Sequence, residues 1–333
     1  MIQVGTLIIA TLGILGLSHQ ALAAPSAEVA QGPTLVARAP IDIKRKYKRY
    51  VALGDSYSAG PGNEAGGEIK DAGIKHPPEV TNCYVTDGGW PNQLQTGKNW
   101  QFQFSACTGY NTTDIKKYQI DGAASKFENP DLVTLTLGGN NKEAFLNVVL
   151  KCPYGVLPKP CTEAINAARE TIEGIGPEIQ QTVLAARDKN RNGGPRTVVV
   201  MGYPTFYQED GRIIDCISPA RREEINALVT SLNEKLKGVT ETINGEDSDE
   251  GVDVLFADPN NPKIGNPDED ASFDNHRFCE RKERAFFAGW PDSSRYLFRA
   301  AFTIGVFHPT KDGHYVMAAA AQNQIATLDP LPE

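Results

Sequence analysis

Five short apolar segments alternate with helical stretches, and this alternation restricts the chain to few folds. The first segment is "YVAL" at 50–53. The others lie at 100–107, 131–139, 196–204 and 252–259. Strands that alternate with helices form βαβ units and pair in parallel. We therefore predict an α/β fold with a mostly parallel five-stranded sheet under two helical layers.

Three helical stretches are clear in the sequence. The clearest starts at the cap Ser218 and Pro219 and places six apolar residues on one face. These six are Ile225, Leu228, Val229, Leu232, Leu236 and Val239. Another helix begins near Thr162 and is interrupted at Gly176–Pro177, because proline breaks the helical hydrogen-bond pattern. A third covers 311–328.

The charge balance argues against polyanionic partners. The chain has 333 residues, with 41 acidic and 33 basic side chains and a net charge of −8. Proteins that bind nucleic acid or anionic membranes usually carry a basic stripe. Neither partner is expected here.

The first residues have the pattern of a targeting segment. The apolar run "TLIIATLGILGL" at 6–17 is too short to span a bilayer comfortably, and "ALA" follows at 21–23. We predict a signal peptide at 1–23, a secreted, extracellular protein and no stable membrane insertion; a retained anchor is the alternative. Residues 24–47 are predicted to be a flexible leader, and 48–333 a single domain.

Cysteine usage fits an oxidising compartment. Six cysteines are an even number, which favours disulfides in a secreted chain. No CxxC pair is present, so a zinc site has no support and no metal is expected. Six cysteines allow about 15 pairings, among which the sequence alone does not choose. Cys152 and Cys161 bracket a proline-rich loop and form a plausible local pair.

A candidate nucleophile follows the first strand. In "GDSYSAGPG" at 54–62, glycines on both sides let the chain turn sharply, which places Ser56 at the tip of the turn. A catalytic serine needs a base, usually histidine. In "VFHPTKDGH" at 306–314, His308 precedes a proline at the entry to the last helix and is the predicted base. His314 lies inside that helix and is predicted to be a packed structural residue.

Two other loops offer hydrogen-bond donors for an oxyanion. In "LGGNNKEAF" at 137–145, the Asn140 amide can point at the site. In "ACTGYNTTDI" at 106–115, Gly109 can present a backbone N–H. Ligands of parallel sheets bind at the carboxyl ends of the strands, where these loops are predicted to lie. Each loop taken singly can also be an ordinary strand-end turn.

Two polar residues near these loops have other predicted roles. Asp55 is expected to fix the turn by hydrogen bonds rather than take part in chemistry. Asn111 begins an N-x-T sequon and is a possible glycosylation site.

The blocks "GDSYSAG", "CTGYNTTD", "LGGNN" and "FHPTKDGH" resemble those of the SGNH, or GDSL-type, hydrolases. The resemblance implies a flavodoxin-like three-layer α/β/α fold and the cleavage of esters. It assigns Ser56 as nucleophile and His308 as general base. The backbone N–H groups of Ser56 and Gly109 and the side-chain amide of Asn140 would form the oxyanion hole. No cofactor is implied.

The loops "NCYVTDGGWPNQL" at 82–94 and "FDNHRFCE" at 273–280 resemble those of a secreted branch of this family with three disulfides. That resemblance implies three pairs: Cys83–Cys107, Cys152–Cys161 and Cys216–Cys279. Many members carry an aspartate three residues before the base, where this chain has Gly305. The secreted branch includes enzymes in which a main-chain carbonyl replaces this aspartate, and the resemblance therefore implies a Ser–His dyad. Asn141 also stands where the family usually has aspartate.

The sequence therefore predicts a secreted, monomeric serine hydrolase that acts through an acyl-enzyme. Two kinds of carboxylic ester stay open as substrates: acyl lipids, and O-acyl groups on carbohydrates. The alternative is a secreted binding protein or effector that keeps the fold without catalysis.

Overall fold

The structure is a computed structural model. It describes residues 43–62, 83–95, 98–122, 129–152, 158–189, 196–208, 217–246, 251–261, 272–274, 276–278, 287 and 307–330. All of them belong to one unit, Leu35–Glu333. The predicted signal peptide lies outside the described residues.

Five strands form one sheet. They are β1 (Arg49–Gly54), β2 (Gln101–Phe104), β3 (Leu132–Thr136), β4 (Arg196–Met201) and β5 (Val252–Ala257). The strand order is β2-β1-β3-β4-β5, and every neighbouring pair is parallel. All five residues of β3 are buried, as expected for a central strand covered on both faces. The predicted parallel sheet and flavodoxin-like fold are confirmed.

Eight α-helices accompany the strands in the described part of the chain. They are α1 (Ser56–Ala59), α2 (Trp90–Gln95), α3 (Thr112–Asp114), α4 (Ala144–Lys151), α5 (Pro158–Gly174), α6 (Gly176–Asp188), α7 (Pro219–Glu246) and α8 (Lys311–Ala326). A π-helix covers Ile115–Ile120, and a 3₁₀ turn covers Asn141–Glu143. The predicted break before Pro177 is confirmed, since α5 ends and α6 begins there.

The helices form two groups around the sheet. Helix α7 packs against β5, α5 and α6. Its six predicted apolar positions are all buried. Helix α8 packs against β4, β5 and α2. These contacts give the predicted three-layer arrangement.

The packed domain begins earlier than the predicted boundary. Residues 43–47 fall in the predicted flexible leader, yet Tyr47 is buried and its hydroxyl bonds Thr197 Oγ1 at 2.8 Å. The Arg45 guanidinium forms an ion pair with Asp253 on β5. These contacts hold the segment against the sheet, so a flexible leader would end before residue 43.

Two of the three implied disulfides are confirmed. Cys83 pairs with Cys107, and Cys152 pairs with Cys161. Cys216 and Cys279 lie outside the described residues. Among the described helices, none has both the length and the hydropathy that a bilayer-spanning segment requires.

Candidate active site

The strand order places the three proposed donor residues side by side. Ser56 follows β1, Gly109 follows β2 and Asn140 follows β3. These strands are neighbours, so their carboxyl ends share one edge of the sheet. The strand order reverses beside β1, because β2 lies on one side of β1 whereas β3, β4 and β5 follow on the other. Ligands bind in the crevice outside such a switch point.

Ser56 is the first residue of the four-residue helix α1 and is 5% exposed. Three hydrogen bonds, to Gln119 and Thr136, fix the turn before it. Gly54 N–H donates to Gln119 Oε1 at 2.7 Å, and Gln119 Nε2 donates to the Gly54 carbonyl at 2.8 Å. The Asp55 N–H donates to the Thr136 carbonyl at 3.1 Å. The serine backbone is therefore held by β3 and by the π-helix that carries Gln119.

Asp55 is a buried acceptor that organises this turn. Its Oδ1 accepts the Tyr57 N–H at 2.9 Å and the Thr136 hydroxyl at 2.7 Å. Its Oδ2 accepts the Tyr203 hydroxyl. Burial raises the pKa of the carboxyl, and these hydrogen bonds act in the opposite direction. The contacts match the structural role expected from the sequence.

Tyr203 links the serine turn to the loop after β3. Besides donating to Asp55, its hydroxyl accepts the Gly139 N–H at 3.2 Å. Gly139 lies against the ring itself, because an added Cβ there would stand 3.3 Å from the ring atoms and the hydroxyl. Burial raises the pKa of Tyr203 well above its ordinary value, and the Asp55 charge adds to the shift. Tyr203 was not among the site residues predicted from the sequence, although "GYP" directly follows β4 at the same edge of the sheet.

The two other donor loops contact one another. Asn140 Nδ2 donates to the Tyr110 carbonyl at 3.1 Å, which leaves its second proton outside that bond. Gly109 has φ +88°, and no atom lies within 4 Å of the position that a Cβ would take. The disulfide Cys83–Cys107 anchors the loop that carries Gly109. This arrangement brings the Asn140 and Gly109 loops together and leaves space beside the glycine.

Asn141 is buried behind this loop and serves as a structural link. Its Oδ1 accepts the Thr112 N–H at 3.1 Å. Its Nδ2 donates to the Thr112 hydroxyl at 2.8 Å and to Glu178 Oε2 at 2.6 Å. The neutral amide thus suits a position that faces a carboxylate, which gives a physical reason for asparagine here. Nearby, the Asn111 side chain caps α3 by accepting the Asp114 N–H at 3.0 Å.

Tyr57 joins the serine turn to His308. Its ring centroid lies 5.0 Å from that of His308, and its hydroxyl donates to the Phe307 carbonyl at 2.8 Å. Phe307 has φ +65°, an uncommon conformation for a residue other than glycine. At Gly62 an added Cβ would stand 2.7 Å from the His308 carbonyl oxygen, so the end of the "GDSYSAGPG" segment packs directly on the histidine backbone.

Tyr57, the residue after Ser56, thus contacts both the ring of His308 and the backbone of the residue before it. Gly305, which stands where many members have aspartate, lies outside the described residues. His314 is fully buried in α8, and neither of its ring nitrogens has a hydrogen-bond partner among the described residues. Burial lowers its pKa to about 3, with a further contribution from His308.

In the described part of the chain, no group of three or more His, Cys, Asp or Glu side chains is placed to hold a metal ion. The fold and the site together define a three-layer α/β/α protein with a serine at its switch point.

Comparison with known proteins identifies the family. The model of the GDSL-like lipase/acylhydrolase family matches residues 52–316, and the chain belongs to this family. It is 32% identical to a lipase of Streptomyces rimosus over 187 residues, 55% of this chain. It is 27% identical to lipase 2 of Streptomyces coelicolor over 213 residues, 61% of this chain. The match spans 63% of the length of each of these lipases.

Two solved structures share the fold. The extracellular lipase of Streptomyces rimosus superposes with a TM-score of 0.59 at 23% identity, over 81% of this chain and 96% of the lipase. Phospholipase A1 of Streptomyces albidoflavus superposes with a TM-score of 0.60 at 23% identity, over 84% of this chain and 100% of the phospholipase.

Proposed function

We propose that this chain is a serine hydrolase that cleaves carboxylic esters through an acyl-enzyme. The observation that carries the proposal is the meeting of three strand-end loops with the His308 segment. Tyr203 links two of the loops, and Tyr57 links the serine turn to His308. A structural role alone would not require this convergence at the switch point of the sheet.

In the first half of the reaction, Ser56 Oγ attacks the ester carbonyl while His308 takes the hydroxyl proton. The negative charge that develops on the carbonyl oxygen is stabilised by the N–H groups of Ser56 and Gly109 and by Asn140 Nδ2. Each such donor is typically worth about 3 kcal/mol of barrier. Collapse of the tetrahedral intermediate breaks the bond to the alcohol oxygen, to which His308 returns the proton. The acyl group is then bound to Ser56.

Water completes the cycle by the same steps. His308 removes a proton from water as the water oxygen attacks the acyl-enzyme, and it gives that proton back to Ser56 Oγ as the acid leaves. The protein groups end as they began, and the net reaction consumes one water for each ester. Neither half of this mechanism requires a cofactor.

Acyl lipids are the substrates that we favour over O-acyl carbohydrates. Support comes from the relatives, since the Streptomyces rimosus protein that is 32% identical to this chain is a lipase. Secretion is also part of the proposal. It rests on the signal-like first residues and on the two disulfides, which persist in oxidising compartments.

The test is hydrolysis of p-nitrophenyl esters, from acetate to long acyl chains, by the purified protein and by Ser56→Ala. We expect activity in the first protein and its loss in the folded variant, with an optimum at longer chains. Activity that survives in Ser56→Ala would contradict the serine mechanism. Inactivity of both folded proteins over the whole series would favour a binding protein that keeps this fold.

A further inference from the structure

Helix α4 exposes apolar side chains that the fold does not use. Among the described residues, two large hydrophobic side chains are exposed to solvent: Leu146, at 44%, and Leu150, at 61%. They are four positions apart in one helix, so they lie on the same face, one turn above the other. We call this pair the outer face of α4. An exposed apolar pair on one rigid element is a feature of interaction surfaces.

The helix is firmly attached to the domain, so this exposure is not that of a loosely held segment. Ala144 and Val148 on its other side are buried. Helix α4 packs against α5, and the disulfide Cys152–Cys161 ties the residue after α4 to that helix. The outer face is therefore presented in a fixed orientation.

The outer face lies next to the proposed oxyanion loop. Only the 3₁₀ turn Asn141–Glu143 separates Asn140 from α4. The Phe145 N–H also donates to the Gly139 carbonyl at 3.3 Å, which fixes the first turn of the helix against the site. The first turn of the helix that carries the outer face is thus joined to the loop that carries Asn140.

Aromatic side chains connect α4 with the segment of the base. The ring of Phe145 lies 6.1 Å from that of Phe206, which lies 5.7 Å from that of Phe307, the residue before His308. Phe145 and Phe307 are only partly buried. A chain of ring contacts, whose middle member Phe206 is buried, thus joins the first turn of α4 to the segment that carries His308.

The charges around the outer face also suit a lipid headgroup layer. Lys142 and Lys151 are exposed at the two ends of the helix, with Glu143 beside the first. The whole chain carries a net charge of −8, so the two lysines are a local exception to its charge. Lysines next to exposed leucines can contact phosphate groups while the leucines enter the acyl region.

We propose that the outer face of α4 is the docking surface for an aggregated ester lipid. The lipid surface would contact Leu146 and Leu150 on the helix whose first turn is joined to the Asn140 loop. This inference rests on the proposed function and deepens it, because it selects lipid over carbohydrate esters. It also assigns a role to residues that the chemical steps do not use.

The binding test compares two double variants. Leu146→Ser/Leu150→Ser removes the apolar surface, whereas Leu146→Met/Leu150→Met keeps it and is the matched control. Both are made in the Ser56→Ala background, so no turnover alters the vesicles. Cosedimentation with vesicles of phosphatidylcholine and phosphatidylglycerol is expected to show at least about tenfold weaker partition for the serine variant only. Circular dichroism verifies folding, and Leu150→Ser alone is the milder second variant.

The activity test uses the same substitutions with Ser56 intact. Hydrolysis of monomeric p-nitrophenyl butyrate is expected to change by less than about twofold, since no reacting group is altered. Hydrolysis of an emulsified long-chain ester is expected to fall in the serine variant and not in the methionine variant. Equal partition of all proteins on vesicles would overturn the docking proposal. So would a concentration-dependent dimer that the serine variant abolishes, because the face would then be a contact between copies.

These experiments distinguish failure of the proposed hydrolase function from failure of the proposed docking surface. If the protein binds vesicles through Leu146 and Leu150 but cleaves no ester, the proposed hydrolase function is wrong and the docking surface stands. If it cleaves monomeric and aggregated esters equally well in all variants, the hydrolase function stands and the docking surface is wrong.

Discussion

At the scale of single residues, Tyr203 is the link between two loops of the proposed site. Its hydroxyl donates to Asp55 on the serine turn and accepts from Gly139 on the asparagine loop. One oxygen atom thus joins the turn that carries Ser56 to the loop that carries Asn140. Because Tyr203 does not contact the reacting atoms in the proposed mechanism, it is a positioning residue.

Tyr203→Phe removes only this oxygen. We expect kcat on a soluble ester to fall about ten- to a hundredfold with little change in KM, because small displacements of catalytic groups have effects of this size. Tyr50→Phe is the matched control. It deletes another buried hydroxyl, bonded to Thr134 Oγ1 at 2.8 Å on the neighbouring strand. Equal kcat values for the two folded variants would show that Tyr203 is only a packing residue.

The sequence could indicate the place of Tyr203 but not its role. Its position directly after an apolar strand puts it at the edge where the site was expected. Its partners Asp55 and Gly139 lie 148 and 64 positions away along the chain, and such contacts depend on the packing of the whole sheet. Ser56 and His308 could be proposed because their motifs are local, whereas a hydrogen bond between distant loops leaves no local pattern.

At the scale of elements, Asn141 ties the 3₁₀ turn after β3 to α3 and α6. Its amide bonds Thr112 at the start of α3 and Glu178 in the first turn of α6. The turn that carries Asn140 is therefore fixed by two helices as well as by its own strand.

Asn141→Asp would place a second carboxylate opposite Glu178, where the amide nitrogen now lies 2.6 Å away. Like charges at this distance repel, so we expect the free energy of unfolding at pH 7 to fall by about 1–3 kcal/mol and kcat to fall with it. Glu178→Gln in the same chain should restore most of both. Urea unfolding of the four proteins of this double-mutant cycle measures the coupling. Additive effects of the two substitutions would contradict the proposed contact.

Long elements could be predicted from the sequence better than short ones. Helix α7 and the five strands have enough apolar residues in a regular pattern to show their period. The π-helix Ile115–Ile120 and helix α4 are too short to show a period. Their positions depend on contacts such as Gln119 with Gly54 and Val148 with the core. The strand predicted at 100–107 is shorter in the structure, where β2 ends at Phe104 and the chain turns towards the disulfide at Cys107.

At the scale of the whole molecule, His314 couples stability to pH. It is fully buried, with no hydrogen-bond partner in the part of the chain that the structure describes, and burial lowers its pKa to about 3. An unfolded histidine titrates near pH 6.5. Below that pH the unfolded chain binds a proton that the folded chain does not, so His314 reduces stability as the pH falls towards 3.

This linkage predicts the effect of His314→Leu. Between pH 7 and pH 5 the histidine should lower the free energy of unfolding by about 2 kcal/mol, a loss that the leucine variant avoids. Urea unfolding at the two pH values measures the difference. His276→Gln, at a partly exposed histidine, is the control and should follow the original protein. Parallel pH dependence of all three proteins would mean that His314 is protonated or solvated in the folded state.

The most direct test of the central claim is covalent labelling of Ser56. The folded protein is treated with an alkyl fluorophosphonate, which reacts with activated serines, and is then analysed by intact mass and peptide mapping. The account predicts one phosphonyl group, located on Ser56, and no label on Ser56→Ala or on urea-unfolded protein. A folded protein that stays unlabelled, or that carries the label on a different residue, would contradict the assignment of Ser56 as the nucleophile.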